Sequence, residues 1–459
     1  MAFTSVDGVA VRGVVAGMSR HSATFEVFSP GTMLSISELL GNFTINHQGK
    51  AVYAGRAVIR SVVNSGGRTV CEVTLDEPRW LRTDSGALPG EPGKIAGEFK
   101  DFLNQWQQLY KVSPEFKLAV ADMQTFMRDL QSWLNQLEVQ IKLAKLHPRD
   151  EAEILRQMAA VAIPAFNFLF ERFESVALKL SNEHRAAHAS YMRQTLHPFV
   201  LCAPFAHRTY TKPRGYAGDY EMVNMIIRNG LEGESLYAKI LHAWFVSQPP
   251  AEAHRNRLKY LAGNIERESC RPLRLGRPAR IFNFACGPAA ELLEYFQNRS
   301  FPSQIHFTLA DFDDETLEYA RRTLRQGANE TKTVLNFKKM SVHQLVKESR
   351  RMGASDDKKY DLVYCAGLFD YLPDSSCRDL TSIFYDMVIP GGLLIVTNVE
   401  PRNPLKCGME YLLDWHLIYR DEKGMRDIRP EGVENQDVTV RTDVTGVNLF
   451  LEVRKPERE

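Results

Sequence analysis

The alternation of short apolar strands and helices from residue 279 onward constrains the fold most. Five predicted strands span residues 280–284, 305–310, 333–338, 362–365 and 393–399. Strands that alternate with helices are typical of a parallel sheet covered by helices on both faces. Two more strands, 438–444 and 448–453, flank Thr445-Gly446-Val447 and are predicted to form a hairpin. The sequence therefore predicts an α/β domain with seven strands that closes in a hairpin.

The first strand leads into a turn of small residues, Ala285-Cys286-Gly287-Pro288-Ala289, and then into a helix. In such folds ligands bind at the carboxyl ends of the strands. Small residues allow a ligand to approach the backbone, and a helix N-terminus offers unpaired N–H groups. Alanine stands at 285 and 289, where nucleotide-binding turns usually have glycine, so the turn alone is also compatible with a plain structural connection.

An acid at the end of the second strand strengthens the prediction of a ligand site. Asp311 follows the apolar run directly, about 20 residues after the turn, where a carboxylate commonly holds ribose hydroxyls. Asp313 is an alternative to Asp311, or a surface acid. The third strand ends near Ser341, where an adenine ring could meet the hydroxyl and backbone N–H groups.

Composition narrows the class of protein. A chain of 459 residues predicts two or three domains, and a net charge of +1 argues against a nucleic-acid partner. The seven cysteines are scattered without Cys-x-x-Cys or zinc spacing, which predicts reduced thiols and no metal site. No secretory signal is visible and no apolar run reaches the length of a membrane span. We therefore expect a cytoplasmic protein without an integral membrane segment.

Residues 1–82 are predicted to form a small β-barrel, followed by a Pro- and Gly-rich linker at 83–94. The predicted strands span 9–15, 23–28, 42–45, 52–63 and 69–75, with turns at Gln48-Gly49 and Asn64-Ser65-Gly66-Gly67. This segment resembles a degenerate PilZ barrel, a family in which some members bind a cyclic dinucleotide. The arginine arm of that family is not intact here, since Arg56 and Arg60 have its spacing but lie within a strand. We expect a scaffold or docking module rather than a nucleotide sensor.

Residues 95–262 are predicted to be helical. Ser113-Pro114-Glu115 is a helix start, and apolar residues then recur at helical spacing on two segments, the second with a kink at Pro164. The stripe predicts a bundle core, with a homodimer contact or an acyl-binding hairpin as alternatives. The unusual string Gly215-Tyr216-Ala217-Gly218-Asp219-Tyr220 follows, and Asn256-Arg257 lies on a later helix, where solvated arginines are one interpretation.

The motifs of residues 263–459 resemble the class I S-adenosylmethionine-dependent methyltransferases, which implies a Rossmann-like fold and S-adenosylmethionine as cofactor. Residues 281–289 resemble the first motif, and Asp311 the ribose acid; Asn283 stands where that motif usually has an acid. Tyr360-Asp361-Leu362-Val363 and Pro390-Gly391-Gly392-Leu393 resemble the fourth- and fifth-strand motifs. The resemblance implies these cofactor-binding residues: Asp219, Asn283, Phe284, Ala285, Cys286, Gly287, Asp311, Phe312, Ser341, Val342, Ala366 and Gly367.

A closer resemblance covers about 200–459. The strings at 212–220, 256–257 and 409–415 are similar to the bacterial family that makes 3-hydroxypalmitic acid methyl ester, related to fatty-acid O-methyltransferases. This implies methylation of the carboxylate of a 3-hydroxy fatty acid to give a signalling ester. The expected catalytic residues are Tyr216, Tyr220 and Tyr411, and the expected substrate-binding residues are Arg214, Tyr371, Asn398 and Trp415. The alternatives are a methyltransferase for another small molecule and a non-catalytic PilZ-type regulator.

The Gly215–Tyr220 string supports two interpretations. As a lid, its tyrosines would shield the sulfonium from water, and Asp219 would meet the ammonium of the methionine moiety. Alternatively, Asp219 caps the helix that starts near Tyr220, and Tyr216 is an interdomain plug.

Overall fold

The computed structural model describes residues 1–6, 8–19, 21–27, 34–47, 50–65, 68–76, 112–144, 147–181, 184–298, 305–349 and 359–457, and the single positions 97, 100 and 103. The predicted linker 83–94 and the turn positions 48–49 and 66–67 lie outside the described residues.

The described strands are β1 Ala2–Thr4, β2 Ala10–Met18, β3 Ser22–Val27, β4 Leu39–His47, β5 Lys50–Ser65, β6 Arg68–Leu75, β7 Ala279–Phe284, β8 Ile305–Asp311, β9 Val334–Lys339, β10 Tyr360–Cys365, β11 Val388–Val399, β12 Val438–Thr442 and β13 Asn448–Arg454. The described α-helices are α1 Pro114–Ala144, α2 Pro148–Ala177, α3 Arg185–Val200, α4 Pro204–Thr211, α5 Tyr220–Arg228, α6 Leu236–Ser247, α7 Pro249–Arg274, α8 Ala290–Asn298, α9 Asp314–Thr331, α10 Val342–Ser349, α11 Asp374–Met387 and α12 Glu422–Asp427. A π-helical turn spans Gly408–Leu412, and short 3-10 turns span Phe369–Tyr371 and Asn435–Asp437.

The chain divides into two compact units. The barrel–helix unit comprises residues 1–217, 229–247 and 404–416, and the sheet unit comprises 218–228, 248–403 and 417–459. The predicted domain boundaries at 82 and 262 follow changes in sequence character. The compact units instead join the barrel to most of the helical region, and they add a segment from late in the chain.

Six antiparallel strands close into a barrel in the order β1-β2-β3-β6-β5-β4, with β4 returning to pair with β1. Alternate residues point inward, as the period of a strand requires. The inner face is apolar; inside it the rings of Phe3, Phe25 and Phe43 contact one another, and Phe43 also contacts Tyr53. The predicted barrel is therefore present, with β1 as an additional strand that its three residues were too few to reveal. The PilZ relationship stays a prediction.

The two arginines with the PilZ-like spacing are committed to ion pairs inside the protein. The Arg56 guanidinium lies 2.7 Å from the Asp414 carboxylate, and Arg60 lies 3.6 Å from Glu72. Both side chains are only 15% exposed. A phosphate of a cyclic dinucleotide would have to compete with these carboxylates for the two guanidinium groups. The expectation of a scaffold or docking module rather than a nucleotide sensor stays a prediction.

The helices of the barrel–helix unit pack through large aromatic side chains. Phe116 of α1 contacts Phe173 of α2, and Phe126 contacts Phe166, with ring centroids 5.5 and 5.0 Å apart. The predicted start of α1 is confirmed, because the Ser113 hydroxyl accepts a hydrogen bond from the Phe116 N–H. Pro164 lies inside α2 without ending it.

The solvent side of these helices carries several large apolar side chains, among them Trp133, Val161 and Phe168, each more than half exposed. The dimer contact expected for this region stays a prediction. Within the described residues, Ala152–Ala177 of α2 is long and apolar enough for a membrane span, so the expectation that no apolar run reaches this length is wrong. Core helices of soluble proteins also meet this test.

A buried group of charges, the Asp414 cluster, joins the barrel to the helices of its unit. Asp414 is fully buried and accepts hydrogen bonds from Arg56 of β5 and from Thr74 of β6. Arg193 lies 3.6 Å from the same carboxylate, and the Lys212 ammonium donates to the Asp414 carbonyl. One acid therefore faces two guanidinium groups and the Lys212 amine, whose pKa burial lowers well below its ordinary value.

The sheet unit contains a seven-stranded sheet in the order β12-β13-β11-β10-β7-β8-β9. Five neighbouring strands of this sheet, β11, β10, β7, β8 and β9, are parallel. Strand β13 runs antiparallel to β11 and forms a hairpin with β12. This confirms the predicted Rossmann-like sheet with its closing hairpin. Because parallel strands point the same way, the ends of β7, β8, β10 and β11 meet at one edge of the sheet, where the site residues lie.

Candidate functional site

The turn after β7 has the backbone conformation that glycine usually provides. Ala285, Gly287 and Ala289 all have positive φ, of 53°, 54° and 48°. The Cys286 N–H donates to the Ala310 carbonyl, and the Ala289 N–H donates to the Cys286 carbonyl, which fixes the turn against the end of β8. The predicted small-residue turn is therefore confirmed, with two alanines held in a conformation that costs a residue with a Cβ about 1–2 kcal/mol.

We expect Ala285→Gly and Ala289→Gly each to be neutral or to raise the free energy of unfolding by up to about 1 kcal/mol. Glycine removes the strain of the positive φ, but it also loses more backbone entropy on folding, by roughly 0.5–1 kcal/mol. Urea unfolding followed by circular dichroism measures the change. The control is Ala320→Gly inside α9, which should destabilise; a similar loss at 285 and 289 would contradict the prediction.

Asp311 ends β8 beside this turn. Its two carboxylate oxygens accept hydrogen bonds from the N–H groups of Gly287, at 3.0 Å, and Asp313, at 3.1 Å. Burial raises the pKa of Asp311 to about 6, against these hydrogen bonds, which act in the opposite direction. A carboxylate oxygen has two lone pairs, so each retains capacity to accept a hydroxyl hydrogen of a ligand.

Asp313 and Ser341 have capping roles. The Asp313 carboxylate accepts hydrogen bonds from the Thr316 N–H and hydroxyl at the start of α9, which leaves Asp311 as the better ribose acid. Ser341 and Gln344 form a reciprocal capping box at the start of α10, with distances of 2.8 and 3.3 Å. The expected adenine contact at Ser341 would therefore have to displace the Gln344 side chain from the Ser341 N–H.

A buried polar network supports the turn from below. The Glu291 carboxylate, in the first turn of α8, accepts hydrogen bonds from the Asn283 amide at 2.9 Å and the Tyr364 hydroxyl at 2.8 Å. Asn283 thus contacts an acid of its own chain, and burial raises the pKa of Glu291. Burial also raises the pKa of the Cys286 thiol well above its ordinary value, so this cysteine stays protonated.

Beside the turn, the end of β10 brings together residues that the sequence prediction included only in part. Gly367 has a φ of 98° and donates its N–H to the Thr397 hydroxyl. A Cβ at this position would lie 3.1 Å from a guanidinium nitrogen of Arg257. Arg257 is 7% exposed, so the interpretation of a solvated arginine is wrong. Its one sequence signal was its place in the family-like string at 256–257.

Asp370 is a second buried acid near this point. Its carboxylate accepts a hydrogen bond from the Val399 N–H at 2.7 Å, and burial raises its pKa to about 6. Tyr371 follows it, and a Cβ on Gly218 would lie 2.8 Å from the Tyr371 hydroxyl. The Gly218 backbone therefore approaches Tyr371 closely, and a larger residue at 218 would require the Tyr371 hydroxyl to shift.

The structure gives Asn398, expected to bind substrate, a structural role. It is fully buried, and its amide nitrogen donates to the carbonyls of Val399 and Ile418. Its amide oxygen accepts a hydrogen bond from Arg420 at 2.6 Å. These bonds occupy both N–H groups of the amide, so Asn398 fixes the chain after β11 rather than presenting donors to a ligand.

Asp219 and Tyr220 have neighbours in the sheet unit. Asp219 is buried and accepts a hydrogen bond from the Met222 N–H at 2.9 Å, the helix-capping arrangement that the sequence left as an alternative. The Tyr220 hydroxyl donates to Glu315, and its ring lies 4.8 Å from that of Tyr319. The cofactor role of Asp219 and the catalytic role of Tyr220 stay predictions.

We expect Asp219→Ala to lower the free energy of unfolding by about 1 kcal/mol, because α5 loses its cap. Asp219→Asn retains the capping oxygen and should cost less, which makes it the matched control. If Asp219 only caps the helix, turnover per folded molecule is unchanged in both variants. Lower turnover or cofactor affinity in Asp219→Asn at an unchanged melting temperature would instead support the lid.

Four expected site residues, Arg214, Tyr216, Tyr411 and Trp415, belong to the barrel–helix unit. Tyr411 is buried against Phe116 and Phe173, and its hydroxyl has no hydrogen-bond partner among the described residues. The neighbouring Gly215 accepts a hydrogen bond from the Leu39 N–H of β4, so the first half of the predicted lid is attached to the barrel. The site roles of these four residues stay predictions.

The sheet edge thus combines an acceptor carboxylate at Asp311, a turn of small residues and a buried guanidinium at Arg257. This set can bind a ligand that carries a vicinal diol and an anionic group. No three His, Cys, Asp or Glu side chains in the described ranges are grouped as metal ligands.

No family model matches the chain, and no curated protein matches it. Among solved structures it is similar to a possible exported protein from Bordetella parapertussis, at 17% identity and a TM-score of 0.43, over 65% of this chain and 97% of that one. It is also similar to an O-methyltransferase family protein from Burkholderia thailandensis, at 13% identity and a TM-score of 0.34, over 68% and 99%. Magnesium protoporphyrin IX methyltransferase from Synechocystis PCC 6803, solved with bound S-adenosylmethionine, matches at 11% identity and a TM-score of 0.31, over 45% and 83%.

Proposed function

We propose that the protein is a methyltransferase that uses S-adenosylmethionine. The observation that carries this proposal is the Asp311 carboxylate, which accepts a hydrogen bond from Gly287 in the turn after the first strand of the sheet. Ligands of such sheets bind at this edge, and an acid at the end of the second strand is suited to a ribose. The strand order with its antiparallel closing hairpin agrees with the motifs that resemble this class.

The residues present fit the cofactor. Asp311 would accept hydrogen bonds from the ribose hydroxyls, and the small residues from Ala285 to Ala289 would let the backbone lie close to it. Gly367 has no side chain, so the Arg257 guanidinium can lie against its backbone at the end of β10. The cofactor supplies the methyl group, and these residues supply binding and orientation.

For the acceptor we propose the carboxylate of a 3-hydroxy fatty acid. Support comes from the strings at 212–220, 256–257 and 409–415, which resemble the family that makes such esters. A carboxylate is already ionised at neutral pH, so its methylation requires no general base. The seven cysteines are free thiols, as expected in a reducing cytoplasm.

One observation favours a second candidate, a small-molecule acceptor with a hydroxyl or amine. Asp370 has a pKa of about 6, within the range of a general base, and could take the proton that such an acceptor loses. The candidates separate in Asp370→Asn, which should abolish methylation of a hydroxyl or amine but leave methylation of a carboxylate largely intact.

The first test is calorimetry of the purified full-length protein with S-adenosylhomocysteine. Mass spectrometry of a reaction with S-adenosylmethionine and 3-hydroxypalmitic acid then looks for the methyl ester, with Asp311→Asn as the matched control. Lipid extracts from cells with and without the protein identify the acceptor if this acid is not methylated. Absence of S-adenosylhomocysteine binding would overturn the proposal, and binding without ester formation would overturn only the fatty-acid acceptor.

A further inference from the structure

Arg257 is a buried cation at the sheet edge that the proposed cofactor contacts leave unused. It lies on α7, is 7% exposed, and holds its guanidinium against the backbone of Gly367, directly after the end of β10. The φ of 98° favours glycine at 367, and a Cβ there would lie 3.1 Å from the Arg257 nitrogen, closer than an ordinary contact.

The guanidinium donates no hydrogen bond to any described residue and has no ion pair within 4.0 Å among them. None of its nitrogens is among the fully buried unpaired polar atoms, so they remain accessible to solvent or to a ligand. Other arginines of the sheet unit show the usual arrangement. Arg255, two residues away on α7, donates to Glu252 and to the Ile226 carbonyl. Arg420 donates to Asp374, to Asn398 and to two backbone carbonyls.

Two acids lie near Arg257 but are committed to other groups. Asp370 and Glu291 are its strongest electrostatic partners, and desolvation lowers its pKa despite their attraction. Asp370 accepts the Val399 N–H, and Glu291 accepts Asn283 and Tyr364. The planar fork of the guanidinium therefore has N–H donors that no acceptor among the described residues occupies.

We propose that Arg257 binds a ligand carboxylate at the sheet edge through its guanidinium fork. The carboxylate is either the one on the methionine moiety of S-adenosylmethionine or the one on the acceptor, and the inference rests on the proposed function. Arginine suits this task because its parallel N–H groups match the two oxygens of a carboxylate. The two acids beside it keep the guanidinium charged and limit its affinity for small inorganic anions.

Calorimetry with two ligands related to the cofactor tests the proposal. S-adenosylhomocysteine carries the amino-acid carboxylate, whereas 5′-methylthioadenosine has the same adenosine group without it. If Arg257 holds the cofactor, Arg257→Gln should lower the affinity for S-adenosylhomocysteine by about 10- to 100-fold. The affinity for methylthioadenosine should be unchanged. Arg257→Lys, which retains the charge without the fork, should be intermediate, and Arg255→Gln on the same helix should bind both ligands normally.

If Arg257 holds the acceptor instead, Arg257→Gln should bind S-adenosylhomocysteine and methylthioadenosine normally. Its KM for a carboxylate acceptor should then rise by about tenfold or more, with a smaller effect on kcat. Either pattern supports the proposal. The proposal is overturned if Arg257→Gln lowers the affinity for both cofactor-related ligands equally. It is also overturned if neither these affinities nor the KM for the acceptor changes. If the wild type binds neither ligand, the proposed function itself fails. If the wild type binds them and Arg257→Gln has the same affinities and the same KM, only this inference fails.

A separate measurement, the melting temperature, tests whether Arg257 has a purely structural role. Since the guanidinium makes no hydrogen bond or ion pair to the described residues, Arg257→Gln should leave the melting temperature of the ligand-free protein unchanged or raised. A lower melting temperature together with unchanged ligand affinities would show a packing role and overturn the proposal.

Discussion

Asp414→Asn is expected to lower the free energy of unfolding of the barrel–helix unit by about 3–5 kcal/mol, the cost of leaving buried charge uncompensated. The substitution removes the carboxylate that lies nearest to Arg56 and Arg193, while Asp76, 3.7 Å from Arg56, stays in place. Asparagine is preferred over alanine for this test because Asp414 has a φ of 53°, which asparagine tolerates. The loss then reports the charge rather than the backbone.

Tryptophan fluorescence during urea unfolding isolates this effect. Trp133, Trp244 and Trp415 lie in the barrel–helix unit, whereas the sheet-unit ranges contain no tryptophan. The control is Asp129→Asn on α1, whose side chain is 69% exposed and should change stability by less than about 0.5 kcal/mol. A loss below about 1 kcal/mol in Asp414→Asn would mean that the cluster is not held by this charge.

The pH dependence of the Asp414 cluster has a definite sign. Burial alone would raise the pKa of Asp414, but Arg56, Arg193, His416 and Lys212 together hold it well below its ordinary value of 3.8. A group with a lowered pKa in the folded state stabilises fully above its unfolded pKa and loses that contribution as the pH falls. The difference in the free energy of unfolding between the wild type and Asp414→Asn should therefore be constant above pH 3.8. It should become smaller only at lower pH.

Asp311→Asn is expected to weaken S-adenosylhomocysteine binding by about 1–3 kcal/mol, because the ribose hydroxyls lose a charged acceptor. The amide keeps the size of the side chain and can still accept a backbone hydrogen bond. Asp314→Asn is the control, since that side chain is 71% exposed on the first turn of α9. Unchanged affinity in Asp311→Asn would remove Asp311 from the cofactor site.

Asp311 also predicts how affinity depends on pH. Its pKa is about 6, above the ordinary 3.8, and the ionised form is the better partner for a diol. Wild-type affinity should therefore fall as the pH drops through 6, and Asp311→Asn should lack this dependence. In the ligand-free protein the sign is opposite, because a raised acid pKa means that stability falls as the pH rises between 3.8 and 6. The affinity profile, rather than the melting temperature, therefore tests the assignment.

The sheet was predictable because each of its features is local in sequence. Apolar runs of five or six residues, the Ala285–Ala289 turn and the acid after β8 all appear within single windows of the chain. Capping by Asp219 was also visible as an alternative, since it depends on residues three apart. The barrel was predicted for the same reason, apart from β1.

What the sequence left open depends on distant partners. Arg56 and Asp414 are 358 positions apart, and no local pattern indicates that they form a pair. The burial of Arg257 and the saturation of Asn398 likewise follow from how helices and loops pack on the sheet. Site residues whose roles rest on such packing, including Tyr411, could only be proposed from resemblance.

The path of the chain between the two units has a consequence for synthesis on the ribosome. The chain passes from one unit to the other five times, and the segment 404–416 completes a unit that begins at the N-terminus. Domains usually fold in the order in which they are made. Here Arg56 and Lys212 remain without the Asp414 carboxylate until almost the whole chain has been translated. The N-terminal half therefore cannot reach its final stability during translation. In a nascent chain that stalls before residue 414, Arg56 lacks its 2.7 Å contact with Asp414 and keeps only the 3.7 Å contact with Asp76.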